Sequence, residues 1–221
     1  DRTSYVLWQA GADYSRSTLD SPNFPCTGGE VRARAMAVGG SYEYRRAGSD
    51  IIAEKSSPAW LQAELRTRHY LSPSRRFSLG LESHTVLSTR KLTGDYNAAV
   101  ASAAVFSPTP AAADAFRASF RANSFVAAGV VPVFRYNDAL SARVGFFGFL
   151  PLRAICENAD GTARYGRWLR QPQFYGEAAI AYRLPFASVA GWCSYSTGLD
   201  CGWNVGISFG IYITAPKFLQ I

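Results

Sequence analysis

Gly206-Ile-Ser208-Phe-Gly210 matches G-x-S-x-G, the spacing that in serine esterases sets a nucleophile on a sharp strand-to-helix turn. That chemistry also needs an acid and usually a histidine later in the chain, and no Asp, Glu or His follows Ser208. The serine lies inside an alternation of bulky and small residues from Trp203 to Ile213, so no catalytic residue is assigned. His69 and His84 lack a cysteine or repeated carboxylate at ligand spacing, and no metal ligand is assigned. No glycine-rich loop joins a strand to a helix in the manner of a phosphate cradle, so no cofactor is expected. The chain therefore reads as non-enzymatic.

A second chemistry-bearing set is a row of charges: Arg32, Arg34, Glu64, Arg66, Arg68, Glu82, Arg143 and Glu177. Each alternates with apolar neighbours, and such a period of two requires a strand. In Leu61 to Arg68, Leu61, Ala63, Leu65 and Thr67 face one way, while Gln62, Glu64, Arg66 and Arg68 face the other. Both charge signs in one row suit a wet or internally paired lumen, whereas a midplane arginine against lipid would cost about 2–4 kcal/mol. About nine segments alternate in this way, as expected of an all-β, antiparallel transmembrane β-barrel. They begin at Ser4, Glu30, Leu61, Phe77, Phe120, Leu140, Phe174, Ser188 and Trp203. Pro132 inside the fifth cannot donate to a ladder and predicts a bulge or an early strand end. The same alternation inverted describes a soluble lipocalin-like ligand-binding barrel, but Trp8, Phe77, Tyr182 and Trp203 near strand ends favour interface girdles.

The 221 residues are 48% apolar and 14% aromatic, which excludes a disordered chain. No apolar run is long enough for a membrane helix. The net charge of +7 is spread singly among apolar residues, with no recognition helix or aromatic-basic platform, so nucleic acid is not an expected partner. The whole chain, 1–221, reads as one outer-membrane segment with a long connection over 88–119. An even strand number is needed for closure, so the chain is expected to be the C-terminal part of a larger barrel. Its missing strands would come from upstream in the same parent chain or from another subunit. A stand-alone small porin or structural barrel is the alternative.

Cys193 and Cys201 flank the tip of the last hairpin and are candidates for a disulfide, while Cys26 and Cys156 are expected at opposite ends of the sheet and unpaired with each other. Arg45, Arg46, Lys55, Arg90, Lys91, Arg164, Arg167 and Arg170 fall in the longer loops, where they could meet lipopolysaccharide phosphates. Asn204, Gly206, Phe209 and Ile211 fit the pattern of an outer-membrane assembly signal, with the barrel-assembly machinery as the expected reader.

Phe120-Arg121-Ala122-Asn123, after the long connection, resembles the latch motif of the bacterial surface antigen superfamily. Together with Phe106-Ser-Pro-Thr-Pro110 and Ala127-Ala-Gly129 it looks most like the barrels fused to patatin-like phospholipases of Bacteroidetes. The resemblance implies a bacterial outer-membrane location, with lipid and lipopolysaccharide around the barrel. It implies a barrel that anchors a periplasmic patatin-like lipid hydrolase, a conduit for lipid or protein translocation, or both. It also implies that Arg121 reaches a lumen carboxylate, with Glu177, Glu82 and Glu64 as the acids at hand.

Overall fold

A computed structural model describes residues 2–45, 52–92, 94–113, 117–184, 187–198 and 202–211. In chain order its elements are β1 (Arg2–Ser17), β2 (Gly28–Arg45), β3 (Ile52–Ser56), β4 (Ala59–Leu71), β5 (Phe77–Ser88), α1 (Tyr96–Ala101), β6 (Ala104–Val105) and α2 (Pro110–Ala113). There follow β7 (Arg121–Ala122), β8 (Phe125–Arg135), β9 (Leu140–Pro151), β10 (Arg153–Glu157), β11 (Ala163–Trp168), β12 (Gln173–Arg183), β13 (Ala187–Ser196) and β14 (Gly202–Ile211). The principal sheet has ten antiparallel strands in the order β1-β2-β4-β5-β8-β9-β12-β13-β14, with β3 attached to β2 alone. β6–β7 and β10–β11 are separate two-stranded ribbons.

All three sheets are open. No pairing joins β1 to β14 among the described residues, which corrects the expectation of a closed transmembrane barrel, whether porin-like, lipocalin-like or part of a larger one. The physical reason is that alternation reports the two faces of each strand, whereas closure depends on strand number, tilt and stagger. Among the described residues no helix is long and apolar enough to cross a membrane.

Neighbouring strands are joined in register by their shared periodicity. Ala33 faces Leu65, Leu65 faces Thr85, Leu81 faces Val130, Val130 faces Phe146, and Ile180 faces Gly191, so the apolar positions of neighbouring strands fall on one face. A slip of one residue would turn each strand's apolar set to the opposite face. Pro132 causes neither a bulge nor an early end. The ladder with β9 drops out at Val131 and Pro132, then resumes at Val133↔Arg143 in the register of Val130↔Phe146. The strand beginning expected at Phe120 starts instead at Phe125, because Phe120 closes a short 3₁₀ turn.

The core lies on the other, concave face. Phe125, Phe147 and Phe149 are buried there beneath the connection from β5 to β8, which inserts Phe106 and Phe120. Phe106 stacks on Phe149 at 5.8 Å and meets Phe125 edge-on at 6.2 Å. Each such ring contributes about 1.5–3 kcal/mol by leaving water. Asp95 opens this connection's first helix by accepting from the Ala98 N–H at 2.9 Å. The β1–β2 connection crosses the concavity at the opposite end. Its Phe24 packs on Ala181 and Ala190, and Arg183 holds Asp20 at 3.2 Å while donating to the Phe24 carbonyl at 3.1 Å.

Candidate functional site

Two surfaces carry the chemistry of this sheet. On its convex face Leu65, Leu81, Val130, Phe146, Ile180 and Ile207 form an exposed band. Aromatic residues border it at both ends: Trp8, Phe174, Tyr195 and Trp203 at one, Tyr14, Phe134 and Tyr182 at the other. Phe174 and Tyr182 lie eight residues apart on β12, about 26 Å along a strand. A hollow of about 660 Å³ opens between Phe146, Phe174, Tyr195 and Trp203 because Gly148 and Gly176 leave its floor low. An apolar surface continuous across the sheet is unlike the single exposed hydrophobics of ordinary surfaces and marks a contact face.

On the concave face the charged row forms hydrogen-bonded groups. Glu30 accepts from Arg32 on one oxygen at 2.7 Å and from Arg68 on the other at 2.5 Å. Burial works against its charge, but the two guanidiniums outweigh it and hold the carboxyl below its ordinary value. His84 bonds Glu64 at 2.9 Å, and that contact lowers the Glu64 pKa. The Tyr70 hydroxyl donates to Glu82 at 2.5 Å and accepts from Arg143 at 3.2 Å. The ring lies flat over Gly80, where an added Cβ would come within 2.5 Å of it. Glu177 accepts from Tyr175 at 2.6 Å and from Thr109 of the inserted connection at 2.5 Å. Burial pushes the Tyr70 and Tyr175 hydroxyl pKa values up, so both stay protonated donors. Arg117 completes this second cluster, its guanidinium 5.2 Å above the Tyr175 ring. These groups tie the inserted connection to the strands beneath it.

The residues singled out by sequence thus divide. Arg32, Arg34, Glu64, Arg66, Arg68, Glu82, Arg143 and Glu177 share the concave face, although no one pocket gathers them. Arg121 donates to the Ala101 and Ala103 carbonyls of its own connection at 2.9 and 3.5 Å. Phe120 and Ala122 are buried in the core, and Asn123 donates to the Tyr165 hydroxyl at 2.8 Å. Ser208 accepts from the Trp192 indole at 2.9 Å within β14. Asn204 and Gly206 lie on the face of Ser208, Phe209 and Ile211 on the convex one. Cys26, Cys156 and Cys193 are free thiols; Cys193 lies opposite Val205, and Cys201 is outside the described residues. Arg45 and Lys55 share Glu43, Arg90 lies over Trp60, and Arg46 is outside the described residues.

No family model, curated protein or solved structure matches this chain. With no match and an open sheet, the resemblance to the bacterial surface antigen superfamily and its patatin-fused branch does not hold. A barrel that anchors a hydrolase, a translocation conduit, and placement in a bacterial outer membrane all rested on a closed wall. Among the described residues no strand pairs the outer edges of β1 and β14, which removes that basis.

Sequence reasoning missed Tyr70, Tyr175, Thr109 and Arg117. Tyr70 follows Arg68 by two positions in the same alternating row and was legible on that ground. Thr109 and Arg117 come from irregular chain, where no period assigns a face.

Proposed function

We propose that this chain is a non-catalytic sheet module that lays its convex face against lipid acyl chains and pairs its edges with strands of its own parent chain or of another subunit. The carrying observation is the apolar band bordered by aromatic rows. Tryptophan and tyrosine favour the boundary between apolar and wet phases, which is where the two aromatic rows place them. β1 and β14 supply the second half of the reading. Unpaired N–H and C=O groups at a sheet edge recruit further strands, and in an apolar phase each unsatisfied group costs several kcal/mol. A structural role agrees with Ser208 lying mid-strand under Trp192.

The test is flotation with phosphatidylcholine vesicles whose acyl chains carry bromine. Association with quenching of tryptophan fluorescence is expected, since Trp8 and Trp203 are exposed on the convex face. Ile180→Arg, in the middle of the band, should weaken association by about 2–4 kcal/mol. Absence of flotation, or flotation without quenching, rejects the proposal.

A further inference from the structure

Where β2 and β4 pair, two cross-strand couples join opposite charges, Glu30↔Arg68 and Arg34↔Glu64. Between them stands Arg32↔Arg66, two guanidinium side chains directly opposite each other. Like charges in that position destabilise a sheet. The nearby carboxylates are already engaged: Glu30 uses one oxygen for Arg32 and the other for Arg68, and Glu64 bonds His84. Glu82 accepts from Tyr70, and Asp13 takes Arg34 at 2.7 Å. Arg66 has no hydrogen bond or ion pair among the described residues. Burial, and then the charges of Arg68 and, more weakly, Arg32, press its pKa downward, although Glu82 and Glu30 act in the other direction.

Solvent reaches this place. Gly11, Asp13 and Ser15, on the same face of the adjacent β1, are exposed, and the Arg32 side chain is 59% exposed. A cation held against a like charge, half-buried yet open on one side, calls for an anion.

We infer that Arg66 and Arg32 form a subsite for a tetrahedral oxyanion of the phosphate or sulfate class. A guanidinium presents a planar fork that matches two oxygens of such an ion. The Arg32 Nε and Nη2 are already held by Glu30, so a tetrahedral anion would set two oxygens on the Arg66 fork and still have a third for the remaining Arg32 nitrogen, which a carboxylate lacks. The bound ion would neutralise the repulsion across the β2–β4 ladder and so couple ligand binding to sheet stability.

Thermal unfolding of the 221-residue chain in an uncharged, phosphorus-free detergent tests this, with inorganic phosphate compared against sodium chloride at equal ionic strength. Phosphate should raise Tm by several degrees over chloride. Arg66→Gln should unfold at a higher temperature than the unaltered chain without phosphate, because the repulsion is gone, and should show no phosphate increment. Arg66→Lys keeps the charge without the fork and should lose most of the increment. A phosphate effect no larger than that of chloride overturns the inference, as does an increment that survives Arg66→Gln. A lower Tm for Arg66→Gln without phosphate also overturns it, by making Arg66 a structural residue. Broadening of the phosphorus resonance of inorganic phosphate by the unaltered chain reads binding without any variant, and a sharp line rejects it. No lipid is present, so the outcome is independent of the vesicle experiment.

Discussion

Over β8, β9 and β12 the concave face lies under the connection from β5, and Phe125, Ala127, Phe147, Phe149 and Tyr175 are all buried. Over β1 the corresponding residues Gln9, Gly11, Asp13 and Ser15 are exposed, and so are Val6 and Trp8 on the other side. Among the described residues β1 is an edge strand paired on one side only, whereas β8, β9 and β12 have neighbours on both sides, and it also lacks their cover. In this molecule irregular chain supplies the second layer that a facing sheet supplies in a sandwich. Packing energy is therefore concentrated in the covered half, while the uncovered half keeps its charges hydrated and its edge available.

Substitution should expose that contrast most strongly in the covered half. Phe149→Ala, at a fully buried ring in contact with Phe106, Phe120 and Phe125, should cost about 3–5 kcal/mol by denaturant unfolding. Leu7→Ala on β1 should stay within about 0.5 kcal/mol, and equal losses at the two sites would erase the distinction. Glu30→Gln lies between the halves and should cost about 3 kcal/mol near neutral pH, because it strands Arg68 without its partner. Its pH signature has a definite sign. The Glu30 carboxyl titrates below its ordinary value, so its contribution is full above the usual carboxylate range of about 4.3 and disappears as acid carries the pH through the lowered value. The variant should lack that portion of the acid-induced loss, and an unchanged profile would mean that Glu30 is not the group responsible. A small effect is expected again in the open half: Asp13→Asn, removing an exposed pair with Arg34, should change stability by about 0–1 kcal/mol and less at high salt.

The periodic parts of this fold were readable from residues alone. Leu61 to Arg68 alternates cleanly, and β4 carries that alternation unchanged. The ribbon of β10 and β11 is not legible in this way, since Arg153 to Trp168 has no lasting period and its register shifts between Arg153 and Ile155. β3 was likewise hidden, because Lys55 and Glu54 sit in a run of charge and small residues. Closure is not legible in the residues, because Trp203, Val205 and Ile207 look alike whether or not another strand lies beyond them. The site divides in the same manner. Glu64, Glu82 and Glu177 could be assigned a face by counting in twos, but their partners His84, Tyr70 and Thr109 depend on cross-strand register or on the path of a connection.

The strut formed by Phe24 and Asp20 has a kinetic consequence. Arg183 grips Asp20 across a sequence separation of 163 residues, so the β1–β2 hairpin can form early but cannot seat its connection until β12 and β13 exist. Contacts of such high order carry a large loop-closure entropy and slow folding. The N-terminal connection thus acts as a buckle fastened last, after the chain's C-terminal strands have been laid down.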